Sequence, residues 1–139
     1  MNAHLTAHSQ YLQKRIADYH HIVGTLLFPP PPSAPKSDPF TTMYQTSHLF
    51  FSGDLNFRLA LPSTHRFSAV SSRSELVEAL NDDLEREALK EFDELLLERN
   101  KGTVFTGFRE GEFWRFKCTY KYRLKEVDRY KYAYLHAIG

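Results

Sequence analysis

Residues 48–61 read HLFFSGDLNFRLAL. The run His48-Leu49-Phe50-Phe51 predicts a buried strand over 48–52, ended by Gly53. Asp54, Asn56 and Arg58 then follow at alternate positions. A turn needs Gly53 and can use Asp54, but it needs neither the amide nor the guanidinium. A carboxylate at the C-terminal end of a strand lies where open α/β sheets bind ligands. There it can take a proton from water or hold a cation, and Asn56 can orient a phosphoryl oxygen or the attacking water. An Asx-turn, with Asp54 bonding a nearby backbone amide, accounts for the same Gly-Asp pair.

Working outward, Leu5, Leu12, Ile16, Tyr19, Val23 and Leu26 recur at helical spacing and predict an amphipathic helix over 5–27. Pro29 to Pro32 stop it. Six of the seven prolines lie between residues 29 and 39. The segment 29–46 is therefore read as an extended, mobile loop. Residues 55–61 form a short extended or helical piece closed by Pro62.

A second helical pattern covers 73–98, with Leu76, Leu80, Leu84, Leu89, Phe92 and Leu96 as its apolar face. Ser72 and Glu75 make a capping box at its start. Asn81-Asp82-Asp83 can split it, and Lys101-Gly102 closes it. TVFTGF at 103–108 is a strand candidate. FWRFKCTYKY at 113–122 alternates, with Trp114, Phe116, Cys118, Tyr120 and Tyr122 on one face. Arg115, Lys117 and Lys121 make the other face basic, which predicts a strand. Helices and strands in this order indicate an α/β chain with a mixed sheet.

The totals exclude several classes. With 139 residues the chain suits one domain or a piece of a larger one. Net charge is +1, so global charge selects no partner. The single cysteine, Cys118, cannot form an internal disulfide, which fits a reducing compartment. No apolar run approaches the roughly 18–20 residues of a membrane span. No charged segment followed by an apolar one marks a secretory signal.

Other candidate residues stand further from the opening stretch. Asn2 and His4 pair a neutral donor with an imidazole before a helix start and could grip an oxyanion, or could belong to a frayed terminus. His4 and His8 sit four apart, but no third ligand accompanies them, so no metal is assigned there. Tyr120 and Lys121, with Lys117 and Arg115, could bind phosphates as point charges, or form a solvated strand face. Arg109 and Glu110 precede Gly111 and are read as a turn.

Taken together, NAHLTAH, KRIADY, FFSGDLNFR, FDEL, FTGFREGEF and TYKY, in this order, resemble the inositol polyphosphate 5-phosphatase catalytic domain. The likeness runs from residue 2 to residue 122. It implies a partial four-layer DNase I-like α/β sandwich with mixed sheet over 1–139, carrying the proline-rich loop at 29–46. It implies hydrolysis of an inositol ring phosphate monoester, usually the 5-phosphate, with Mg²⁺. The substrates would be phosphoinositide lipids or soluble inositol phosphates, and the location cytoplasmic or peripheral at membranes, with no nucleic acid partner.

The resemblance also implies roles. Asp54 activates the nucleophilic water, Asn56 positions water and phosphate, and Asn2 and His4 lie against the scissile phosphate. Arg58 buttresses the loop. Tyr120 and Lys121 contact a neighbouring ring phosphate and help select substrate.

Departures from the family pattern bear on activity. The family's upstream glutamate that holds Mg²⁺, its Pro-x-Trp-x-Asp-Arg-Ile segment and its later Asp-His pair are not in the sequence. Ile16, Glu94 and Cys118 replace the family's usual asparagine, glutamine and proline. The sequence thus reads as the middle of a catalytic domain, cut at both ends, with no metal ligand assigned, little activity alone and marginal stability. Two other readings are a non-catalytic phosphoinositide-binding product and a nuclease of the same superfold. TYKY and FTGFREG oppose the nuclease, as does the lack of a broad basic surface.

Overall fold

The computed structural model describes residues 1–35, 39–69, 73–117 and 124–125. The chain divides into two compact units, Met1–Leu55 and Asn56–Gly139. Both helix and strand are present, in keeping with the α/β expectation.

In the first unit, strand β1 is Asn2–His4 and a 3₁₀ turn, Ser9–Tyr11, leads into helix α1, Leu12–Thr25. Residues 5–8 are not helical, so the 5–27 helix starts late. The reason is visible in the side chains. Asp18 accepts hydrogen bonds from the Thr6 amide (2.8 Å) and hydroxyl (2.6 Å). The wholly buried Arg15 donates through Nη1 to the carbonyl oxygens of Thr6 (3.3 Å) and His8 (2.6 Å). These contacts satisfy the backbone of the connection in a non-helical path. Leu5 is buried, but off the helix.

After α1, strand β2 (Leu27–Phe28) pairs antiparallel with β3 (Thr41–Thr42), followed by a 3₁₀ turn over Met43–Gln45. The proline-rich segment therefore carries structure in its last third. Thr42 and Gln45 form a reciprocal cap on that turn.

The strand expected at 48–52 is displaced. Residues 48–51 have no regular structure, and the strand β4 is Ser52–Asp54, exposed at every residue. Gly53 lies inside it rather than after it. Phe50 is 82% exposed, whereas Phe51 packs against Tyr19 with ring centroids 6.2 Å apart. β4 pairs in parallel with β1.

The regular elements described in the second unit are helices. Helix α2 is Arg73–Ala79, α3 is Asp83–Leu89, a 3₁₀ turn spans Lys90–Phe92, and α4 is Glu94–Asn100. The break at 81–83 falls as expected. Asp82 caps α3, accepting the amide hydrogens of Leu84 and Glu85 at 3.0 Å each. A second break at Asp93 was not legible from the spacing. Each break resets the helical phase, so Leu84 is 79% exposed and Leu95 is buried where Leu96 was expected. Gly102, at φ +75°, follows the end of α4 as expected. Ser72, the expected cap of α2, lies outside the described residues.

Phe67, Leu76, Ala79, Leu80 and Leu89 form the core, with Leu59, Leu61 and Phe92 packed against it. Arg86 is fully buried beside it, donating to the carbonyl oxygens of Leu80 (2.8 Å) and Trp114 and to Asp83 Oδ1 (2.5 Å).

Two expected strands are corrected. Residues 103–108 form turns, with Phe105 and Phe108 edge to face at 5.5 Å. Residues 113–115 form a 3₁₀ turn, not the start of a strand. Lys90 Nζ lies 4.2 Å from the centre of the Trp114 ring, and Arg86 binds the Trp114 carbonyl, so local contacts fix this segment. The rest of that expected strand, 118–122, lies outside the described residues.

Candidate functional site

Parallel pairing of β1 and β4 sets Asn2 beside Ser52, Ala3 beside Gly53 and His4 beside Asp54. The Leu5 amide donates to the Asp54 carbonyl, and the Ser52 amide to the Met1 carbonyl, at 3.0 Å each. Asn2 and His4 are therefore strand residues, not a frayed end. His4 Nε2 lies 3.6 Å from Asp54 Oδ2, and both side chains are more than half exposed.

Gly53 explains how the two strands come together. Its φ is +133°, and a Cβ there would lie 1.9 Å from the Ala3 carbonyl oxygen. No side chain fits between the backbones, and only glycine adopts that φ without strain. The residue that looked like a strand terminator is the one that lets β1 lie against β4.

An open cleft of about 500 Å³ adjoins the pair, lined by His4, Leu5, Thr6, Asp18, His21 and Ile22. Asp18, which lines it, accepts from the Thr6 amide and hydroxyl, and Arg15 holds the Thr6 and His8 carbonyls. Neither residue was singled out from sequence, because a buried arginine on an amphipathic helix looks like any exposed one.

Asn56 opens the second unit. It is 4% exposed and sits at φ +57°, a left-handed conformation that asparagine tolerates better than most residues. Arg58 folds back on it. Its Nε donates to the Asn56 carbonyl (2.9 Å) and its Nη2 to Asn56 Oδ1 (2.8 Å). That contact assigns the amide orientation, with Oδ1 toward Arg58 and Nδ2 on the other side.

The backbone of 58–60 runs antiparallel to 92–94. Glu94 N–H donates to the Arg58 carbonyl and Ala60 N–H to the Phe92 carbonyl, at 2.9 and 2.7 Å. Leu59 and Asp93 form the bridge between them.

Asp93 is 1% exposed and caps α4 by accepting the Leu96 amide at 3.0 Å through Oδ1. Among the described residues its buried Oδ2 has no hydrogen-bond partner. Burial pushes its carboxyl from the ordinary 3.8 up to about 7, with Glu110 and Glu94 adding to the rise and the Leu96 and Leu95 amides opposing it. Burial also raises Glu110, against the opposing charge of Arg99 at 2.7 Å.

Tyr120 and Lys121 lie outside the described residues. Among the described residues, no three His, Cys, Asp or Glu side chains converge as a metal-binding group. Mg²⁺ keeps several waters and is usually held by one or two carboxylates together with substrate phosphates, and the described residues bring no such cluster together beyond the His4–Asp54 pair.

With helices, one parallel and one antiparallel strand pair, and polar side chains at the strand ends, the chain is an α/β protein. Its sequence matches Endonuclease/Exonuclease/phosphatase family 2 over residues 1–135, and the chain belongs to that family. Among curated proteins it is similar to phosphatidylinositol 3,4,5-trisphosphate 5-phosphatase 1 of Xenopus laevis, 32% identical over the whole of this chain and 12% of that protein. Type IV inositol polyphosphate 5-phosphatase 6 of Arabidopsis thaliana is 34% identical over 88% of this chain and 18% of its own length. The mouse type II inositol 1,4,5-trisphosphate 5-phosphatase is 30% identical over 88% of this chain and 11% of its own length. The chain thus spans less than a fifth of each of these relatives. No helix among the described residues is long and apolar enough to cross a membrane.

Proposed function

We propose that this chain carries part of the catalytic machinery of a phosphoinositide or inositol polyphosphate phosphatase, acting on a ring phosphate monoester, the 5-phosphate by likeness to its relatives. The observation that supports this most is the register of β1 on β4, with His4 and Asp54 side by side at 3.6 Å. Family membership and the names of the relatives support it further.

The chemistry follows from the side chains. Asp54 takes a proton from a water molecule as the water oxygen bonds to phosphorus. The bond from phosphorus to the ring oxygen breaks in line, and that oxygen leaves as the inositol hydroxyl once it is protonated from solvent. Phosphoryl transfer asks a protein mainly for positioning and for donors around the spreading charge. His4 and Asn2 supply such donors to the scissile phosphate. Asn56, whose Oδ1 is turned to Arg58, meets phosphate or water through Nδ2. Tyr120 and Lys121 bind a neighbouring ring phosphate.

The complete fold would be the four-layer DNase I-like sandwich, with the chain as one portion and 29–46 as its proline-rich excursion. Mg²⁺ is the expected cofactor; no cluster of three metal-ligating side chains is present among the described residues, and the steps above use none. Low turnover by this chain alone follows. The protein would work in the cytoplasm, on soluble inositol phosphates or at the surface of a phosphoinositide membrane.

Phosphate release from a soluble short-chain phosphoinositide, with Mg²⁺ present, tests this. We expect release well below ordinary enzyme rates, abolished by Asp54→Asn. Equal release by Asp54→Asn, or nicking of DNA in place of release, would overturn the proposal.

A further inference from the structure

The segment carrying Asn56 is not held by Arg58 alone. Arg58 and Glu94 are joined twice: the Arg58 amide donates to Glu94 Oε2 at 2.9 Å, and the Glu94 amide donates to the Arg58 carbonyl at 2.9 Å. Glu94 is the first residue of α4 and is 8% exposed. Its carboxylate is thus fixed by a helix terminus and aimed at one backbone N–H. Arg58, anchored there, holds both the carbonyl and Oδ1 of Asn56. Asn56 occupies the left-handed region, sparse for non-glycine residues though asparagine tolerates it better than most.

We propose that Glu94 is a positioning residue for Asn56, acting through Arg58, so that helix α4 sets the direction in which the Asn56 amide meets a phosphoryl oxygen. The contact with phosphate rests on the function proposed above; the relay from Glu94 to Asn56 does not. Four groups of Arg58 take part: N–H and C=O meet Glu94, while Nε and Nη2 meet Asn56. Removal of the Glu94 carboxylate leaves the Arg58 amide without that acceptor, which is the costly way to break a partly buried hydrogen bond. A glutamine keeps a carbonyl oxygen at the same reach. An aspartate keeps the charge but withdraws the oxygen by one methylene.

The 139-residue chain, labelled with ¹⁵N, provides the test. We expect the Arg58 Nε–H and Asn56 Nδ2 signals to move in Glu94→Ala and Glu94→Asp and to stay in place in Glu94→Gln. The Nε–H of Arg86, a buried guanidinium of the same unit, serves as the check on folding. If Glu94→Ala unfolds, Glu94→Asp decides. Signals of Arg58 and Asn56 unmoved in folded Glu94→Asp overturn the relay. Titration with inositol trisphosphate then tests the link to phosphate: affinity falls about tenfold in Glu94→Asp and holds in Glu94→Gln, a change of about 1.4 kcal/mol. Moved signals with unchanged affinity overturn that link. If the wild-type chain binds no inositol trisphosphate at all, the proposed function fails while the relay stands or falls on the spectra.

Discussion

Replacing Asp93 by asparagine should remove a pH dependence from the stability of this protein. The wild-type carboxyl is raised from 3.8 to about 7 by burial. Below about pH 4 both folded and unfolded chains carry the proton, so Asp93 imposes no ionisation penalty. As pH rises, the unfolded chain loses the proton first while the folded chain keeps it. Stability therefore falls between about pH 4 and pH 7 and is level above that. The gap, at about 1.4 kcal/mol per pH unit, amounts to about 4 kcal/mol. That is a large share of the roughly 5–15 kcal/mol by which domains are stable.

In Asp93→Asn the new side chain can still accept the Leu96 amide through its carbonyl oxygen, since asparagine caps helices about as well as aspartate. It cannot ionise. Urea unfolding of both proteins from about pH 4 to pH 8 at one temperature measures the difference. The gap between Asp93→Asn and wild type should widen in favour of the variant by about 4 kcal/mol across that range. A constant offset from the new amide shifts both ends equally and leaves the slope intact. A ¹³C titration of the Asp93 carboxyl reads the same quantity directly. A midpoint below about pH 5, or parallel stability curves, would refute the reasoning.

Other outcomes follow from single contacts. Gly53→Ala drives a Cβ into the Ala3 carbonyl at a positive φ. It should cost more than about 3 kcal/mol in urea unfolding and erase the cross-strand nuclear Overhauser contact between His4 and Asp54. Arg86→Met leaves the carbonyl oxygens of Leu80 and Trp114 without the buried guanidinium; a loss of about 3 kcal/mol or more is expected by thermal unfolding. Asp82→Ala removes the α3 cap and should cost about 1 kcal/mol, with Asp82→Asn close to neutral.

Local signals in the sequence survived folding better than pairing did. The break at 81–83 and the closure at Gly102 depend on a capping carboxylate and a left-handed glycine, both written in a few adjacent residues. The α1 helix was legible for the same reason, except at its start, where Arg15 and Asp18 hold the backbone of Thr6 and His8 out of helical form. Strands need partners that the spacing does not name. β1 meets β4 across some fifty positions, Asn2 against Ser52, so His48-Leu49-Phe50-Phe51 looked like the strand while Ser52–Asp54 became it. The alternation at 113–117 lost to contacts from Lys90 and Arg86.

At the candidate site, Asp54, Asn56, His4 and Asn2 stood out through the order of motifs. The structure brings His4 to Asp54. Asp93 and Glu94 were read inside the 73–98 helix, and Glu94 only as a departure from the family's glutamine, because the bridge of Asp93 to Leu59 joins residues far apart in sequence. Arg15 and Asp18 escaped notice because both sit in an ordinary amphipathic pattern.

Titration of inositol trisphosphate into the ¹⁵N-labelled chain, followed at the His4 ring and the Asn2 side-chain amide, is the most direct check that these groups receive a phosphate monoester. We predict saturable movement of both with one dissociation constant, weakened by His4→Ala. Signals that stay still, or that move only at remote surface lysines, would contradict it.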